Sequence, residues 1–224
     1  MSRRILVWDA PVRLFHWALA ALAVFSFVTG TIGASWMEWH LKSGYAILAL
    51  LLFRIAWGFA GSDTARFSSF IRSPRTAVEY LRARLGGRHS TVLGHNPLGG
   101  WVVVAMLAAL ALQVTTGLFS DDEIATQGPL AVKVSEAMVS RMSAIHELNR
   151  WLIAALVALH VAAIAVYRYV WRVRLVAPMI HGHVEVEDAA AAPRMRHPAL
   201  AAALFALACA AVYYLVVIYP RSPA

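Results

Sequence analysis

Nine histidines lie in a chain that is 60% hydrophobic and only 14% charged. Four of them, His16, His40, His146 and His160, fall within or at the ends of long apolar runs. An ionisable group inside a bilayer is costly and is a functional candidate by default. The other five, His89, His95, His181, His183 and His197, lie in more polar segments. Zinc would ask for ligands a few residues apart, as in His-x3-His, and the apolar runs contain no such spacing. His146 and His160 are separated by fourteen residues, about 1,400° of helical rotation and about 21 Å of rise, so both project from nearly one face. Paired by depth with His16 and His40, they would supply two axial imidazoles to each of two irons, the ligation of a six-coordinate b-type haem.

Positioning such groups requires membrane helices. With 224 residues and a mean hydropathy of +0.63, the chain has apolar runs near the roughly 20 residues that a bilayer needs. Five spans are expected, near Val12–Gly33, Trp39–Phe59, Leu98–Phe119, Ala144–Val170 and Pro198–Tyr219. The fourth is longer than a bilayer requires and should project into water at its N-terminal end. Fifteen of the twenty Lys and Arg lie in the N-terminal stretch through Arg13, in Arg54–Arg88 and in Arg168–Arg196. The Gly117–Ser143 loop has only Lys133 and Arg141, beside Asp121, Asp122, Glu123 and Glu136. Positive-inside asymmetry then predicts a multi-pass protein of the bacterial inner (cytoplasmic) membrane with its N-terminus cytoplasmic. In that frame His16 and His160 form an inner pair, and His40 and His146 an outer one.

Outside the spans, Ser73-Pro74 and Gly86-Gly87 bracket an expected short cytoplasmic helix over Arg75–Leu85. The loop from Asp121 to Arg141 could hold an amphipathic helix, and the acidic, alanine-rich His181–Ala192 stretch reads as a linker. Cys209, the one cysteine, excludes an intramolecular disulfide framework. No Cys-x-x-Cys-His is present for covalent haem attachment. The first apolar run lacks a small-residue cleavage site and reads as a retained helix. A net charge of +8 does not imply nucleic-acid binding, because the basic residues sit between spans, where they set orientation.

Several further residues suit a haem environment. Arg54 is fourteen after His40 and should face the inner layer, and Arg13 is one turn before His16. Buried arginines need counter-ions such as haem propionates; alternatively, Arg54 snorkels at the cytoplasmic boundary. Lys42 and Arg150 fall near the outer pair. Gly30 and Gly44 lie at its depth, where they could admit a flat macrocycle or simply serve helix contact. Most of the eight tryptophans, including Trp8, Trp36, Trp39, Trp101 and Trp151, read as interfacial belt residues.

The motifs carry a family resemblance. Val7-Trp8-Asp9-Ala10-Pro11 through Arg13-Leu14-Phe15-His16-Trp17 is followed by Trp39-His40-Leu41-Lys42-Ser43-Gly44-Tyr45 and Phe53-Arg54-Ile55-Ala56-Trp57-Gly58-Phe59. Ala65-Arg66-Phe67, Gly94-His95-Asn96-Pro97-Leu98-Gly99-Gly100, Thr116-Gly117-Leu118-Phe119 and the His146…His160 helix complete the series. Over roughly residues 5 to 182 this resembles the bacterial cytochrome b561 family, which includes b-type subunits of nickel–iron hydrogenases. The resemblance implies an all-α membrane protein, a four-helix transmembrane bundle holding two haems b over residues 1–182. His16 would pair with His160, and His40 with His146. Residues 183–224 would add a linker and a fifth C-terminal transmembrane helix, which either docks a partner or packs on the bundle.

The expected function is transmembrane electron transfer in a respiratory chain, between the quinone pool and a periplasmic c-type cytochrome or hydrogenase-like protein. His95 is a candidate quinone contact. Two alternatives stand beside this: a superoxide-oxidising quinone reductase, with Lys42 and Arg150 attracting the anion, and the cytochrome b subunit of a hydrogenase complex. Enzymatic status, electron direction and oligomeric state, including a homo-oligomer, are left open by the residues alone.

Overall fold

The computed structural model describes residues 3–87, 93–186 and 191–222, so that His89 lies outside the described residues. Five helices are long and apolar enough to cross a membrane. The first, α1 (Ala10–Ile32), starts where Asp9 accepts the backbone N–H of Val12 at 2.8 Å, with Pro11 in the first turn. Both are favoured helix-start choices, because they satisfy or dispense with orphan N–H groups. It ends at Gly33, whose φ of +67° favours a residue without Cβ. A 3-10 turn (Ala34–Trp36) leads into α2 (Met37–Ala60).

A short α3 (Phe67–Phe70) and an amphipathic α4 (Pro74–Leu85) follow on the N-terminal side of the bundle. The α4 boundaries fall where the Ser73-Pro74 cap and the Gly86 stop place them. Helix α5 (Pro97–Gly117) is capped by Asn96, whose Oδ1 accepts Gly99 N–H at 2.8 Å. Helix α6 (Glu136–Tyr169) has 34 residues, about 51 Å by helical rise against a hydrocarbon core of about 30 Å. It begins eight residues before the expected span because nothing between Glu136 and Ala144 breaks it. No separate amphipathic helix forms in 121–141: the segment holds a 3-10 turn (Ala131–Lys133) and the first turns of α6.

After α6 come α7 (Val176–His181) and α8 (Pro198–Tyr213), the latter extended by a π turn (Tyr214–Ile218) and a 3-10 turn (Tyr219–Arg221). Part of the expected linker is instead a strand. β1 (Arg3–Leu6) pairs antiparallel with β2 (His183–Val186) in the register Arg3↔Val186 to Leu6↔His183. Val184 and Val186 alternate with His183 and Glu185, the period of a half-buried strand. The turn before β2 is sealed by the Gly182 carbonyl, which accepts Val7 and Trp8 N–H at 2.8 and 3.1 Å.

Helices α1 and α2 pack as one antiparallel pair and α5 and α6 as another, with α2 also against α5 and α8. The core sits at the N-terminal end, where Ile5, Val7, Trp8, Val12, Phe15, Phe53, Trp57, Ala65 and Val186 cluster with Ala201 and Ala208 of α8. The fifth helix is tied at both ends. Arg194 N–H reaches Asp63 Oδ2 at 2.9 Å and Arg196 N–H reaches Ser62 Oγ at 3.1 Å. At the far end Lys133 Nζ donates to the Ser222 carbonyl and lies over the Tyr219 ring.

Candidate functional site

The four histidines of the spans come together as the depth argument expects. His16 on α1 faces His160 on α6 with ring centres 6.5 Å apart, and His40 on α2 faces His146 on α6 with centres 6.0 Å apart. Two imidazoles that held one iron through Nε2, each at about 2.05 Å with its ring centre about 1.2 Å further on, would have ring centres about 6.5 Å apart. Both pairs fit that span. In the second pair the tautomers suit ligation as well. His40 Nδ1 donates to the Ser26 carbonyl at 2.8 Å and His146 Nδ1 to the Gln113 carbonyl at 2.9 Å. A carbonyl only accepts, so each Nδ1 carries the proton and each Nε2 keeps its lone pair.

Around the His40–His146 pair lies a cleft of about 430 Å³, bordered by α1, α2, α5, α6 and the loop between the last two. This is the size of a cofactor pocket. Gly44 borders it with nothing within 4 Å of where a Cβ would stand, so it leaves room for a flat ring system. Gly30 does something else: a Cβ there would lie 2.7 Å from His40 Nδ1. It clears space for the imidazole, not for the macrocycle. Gly117, of the Thr116-Gly117-Leu118-Phe119 motif, does the same for His146, with a Cβ position 2.9 Å from Cε1.

The arginines separate by environment. Arg54 is 2% exposed and lies over Phe67 and Phe15, with its Nη1 unpartnered among the described residues. Snorkelling is therefore excluded, and Nη1 needs an acceptor that no described residue supplies. Arg13 donates Nη1–H to the Ile180 carbonyl while its buried Nε has no partner among the described residues, and the same holds for the buried Nε of Arg150, beside its ion pair with Glu147. Such orphaned donors suit the carboxylates of haem propionates. Lys42 points elsewhere: it pairs with Glu38 at 2.6 Å, sits over the Trp39 ring and does not border the cleft.

On the N-terminal side, His95 packs edge-on to Trp8 at 4.7 Å and against Phe70 at 4.5 Å, with its Nδ1 buried and without a partner among the described residues. Burial, reinforced by the Arg54 charge, lowers its pKa to about 3, so the ring is neutral at physiological pH. The neighbouring Asn96 both caps α5 and donates to Tyr167 Oη at 2.9 Å, and Tyr167 in turn meets Tyr80 at 3.2 Å. On the opposite side the cleft is rimmed by Asp121 and Asp122. Burial opposes ionisation of Asp122, but N–H donors from Thr126, Ala125 and Ile124 outweigh it and hold the carboxyl below its ordinary value. The rim is therefore anionic.

Paired, depth-separated histidines inside a helical membrane bundle define a class of protein, the membrane-embedded b-type cytochromes. The model of the prokaryotic cytochrome b561 family matches residues 7–182, and the chain belongs to that family. It is a multi-pass membrane protein of electron transfer that uses haem b. Two relatives are described as probable Ni/Fe-hydrogenase B-type cytochrome subunits. The one from Cupriavidus necator is 26% identical over 213 residues, spanning 81% of this chain and 87% of its own. That from Rhodobacter capsulatus is 24% identical over 219 residues, 82% of each chain. No solved structure matches the chain at a significant level.

Proposed function

We propose that this protein carries electrons across the bacterial inner membrane between a periplasmic redox protein and the quinone pool. In this reading one haem b is held by His16 and His160 near the cytoplasmic face, and a second by His40 and His146 near the periplasmic face. When bound, each haem supplies a one-electron iron couple. The chain's residues do the rest. The imidazoles fix the irons in two layers, the Ser26 and Gln113 carbonyls orient two of the rings, and Arg54, Arg13 and Arg150 neutralise propionates. Residues 1–182 form the haem-binding unit and 183–224 the added strand and helix. The observation that carries the reading is the pair of histidine separations, 6.5 and 6.0 Å, each matched to one iron.

The quinone end falls at the His16–His160 layer, where His95, outside the ligand pairs, has a buried Nδ1 without a partner among the described residues. At the other end the rim of Asp121 and Asp122 favours a donor with a basic surface and disfavours an anionic one such as superoxide, since Lys42 and Arg150 are already ion-paired with Glu38 and Glu147. The names of the two relatives support a hydrogenase as that donor.

A pyridine haemochrome assay on the purified protein tests the core of this reading, with two haems b per chain expected. His146→Ala should remove the haem near the periplasmic face and His160→Ala the other. One haem in the unaltered protein, or both retained in either variant, would refute the ligand assignment.

A further inference from the structure

The His40–His146 layer is built twice from one local device. In α1 the Ser26 carbonyl accepts His40 Nδ1–H at 2.8 Å, and Thr29, three residues on, places its hydroxyl 3.1 Å from that same carbonyl and 2.9 Å from the Phe25 carbonyl. Gly30 follows and lies under the ring. In α5 the Gln113 carbonyl accepts His146 Nδ1–H at 2.9 Å, and Thr116 places its hydroxyl 3.0 Å from it and 2.8 Å from the Leu112 carbonyl. Gly117 follows and lies under that ring. Acceptor, threonine at +3 and glycine at +4 recur on two helices that otherwise share no motif. Both threonines are almost wholly buried, at 0% and 2% exposure. The His16 ring has no such arrangement: its Nδ1 is buried without a partner among the described residues.

A carbonyl that receives two donors gives less to each. The stronger the Nδ1–H···O=C bond, the more electron-rich the imidazole and the more it favours oxidised iron. Each threonine has a single proton to offer and two carbonyls within reach, so its hydroxyl competes with the histidine for the shared acceptor; the Thr116 oxygen also stands 3.3 Å from His146 Nδ1, a longer contact than the 2.9 Å one to the Gln113 carbonyl. We propose that Thr29 and Thr116 are positioning residues that weaken the hydrogen bonds from His40 and His146 and thereby raise the midpoint potential of the haem these histidines hold. The proposal rests on the ligand assignment above.

Redox titration of the full-length, haem-loaded protein tests it, with Thr29→Val, Thr116→Val and the double variant beside the unaltered chain. Valine keeps the shape and removes the competing proton. The haem that His146→Ala removes should shift to lower potential. In the double variant its ferric-to-ferrous ratio at fixed potential should rise by up to about tenfold, which is about 59 mV for one electron. The other haem should not move, and Thr→Ser at either position, which retains the hydroxyl, should restore the original potential. An unchanged low-spin ferric EPR signal would show that the ring planes have not turned. No shift, an upward shift or an equal shift of both haems overturns the proposal. Should the valine variants fail to hold the haem, Thr→Ser and Thr→Ala replace them, and equal midpoints in those two overturn it. Both haems surviving His146→Ala would instead count against the ligand assignment, so the two failures are distinguishable.

Discussion

At the scale of single residues, small differences in placement decide what each candidate does. Gly30, Gly44 and Gly117 all border the same cleft, yet a methyl group would meet an imidazole at the first and last and open space at the second. Gly117→Ala and Gly30→Ala should therefore displace His146 or His40 and cost the protein one haem, whereas Gly44→Ala should keep both. Haem content per chain, measured by pyridine haemochrome, checks this directly. Arg54 gives a different readout. A buried cation favours the reduced iron, because reduction removes one positive charge from its surroundings. Arg54→Gln should lower the midpoint of the His16–His160 haem and leave the other unchanged in a redox titration. Unchanged midpoints would mean that Arg54 serves packing alone.

At the scale of elements, α2 is the long helix with the most neighbours. It meets α1, α5 and α8, and its Trp57 donates Nε1–H to Asp9 at 3.0 Å. The same carboxylate caps α1, so one side chain locks the start of α1 to the end of α2. Against α2 also lies α8, whose buried face is made of Ala201, Ala208 and Val212, while Phe205 meets Phe53 edge-on at 5.9 Å. Small residues allow the close approach. Ala208→Leu overfills that interface and should cost about 1–3 kcal/mol, read as a lower thermal midpoint in detergent with an unaltered visible spectrum. A stability loss accompanied by loss of haem would instead mean that α8 shapes the haem layers. The fifth helix belongs to this fold as a tied wall, clamped through Ser62 and Asp63 at one end and Lys133 at the other.

At the scale of the whole molecule, charge and apolar length set how the bundle sits. The N-terminal side carries Arg66, Arg72, Arg75, Arg82 and Arg84 between α2 and α5 and Arg172, Arg174, Arg194 and Arg196 beyond α6. The opposite side holds the anionic rim. A reporter that is active only outside the cytoplasm should therefore be silent when fused at the N-terminus or inserted after Gly86, and active when fused after α8. The reverse pattern would invert the assignment of the two haem layers to membrane faces.

Much of this was legible in the sequence because a membrane simplifies the physics. Lipid offers backbone groups no partners, so an apolar run of sufficient length must be a helix, and fixed helical geometry then turns a fourteen-residue interval into two imidazoles on one face. The five spans and the two depths at which the four histidines fall follow from that and from the order of the spans. What lies between distant segments does not. The pairing of β1 with β2 joins residues some 180 apart, and no local periodicity announces which segment a four-residue strand will meet. The placement of Gly30 under an imidazole, the enclosure of Arg54 and the turning of Lys42 towards Glu38 likewise depend on which helix faces touch. The Thr29-Gly30 and Thr116-Gly117 pairs were visible as letters. Only packing could show that each stands beneath a histidine from another helix, because that relation is made by side-chain contact across the bundle and not by spacing along the chain.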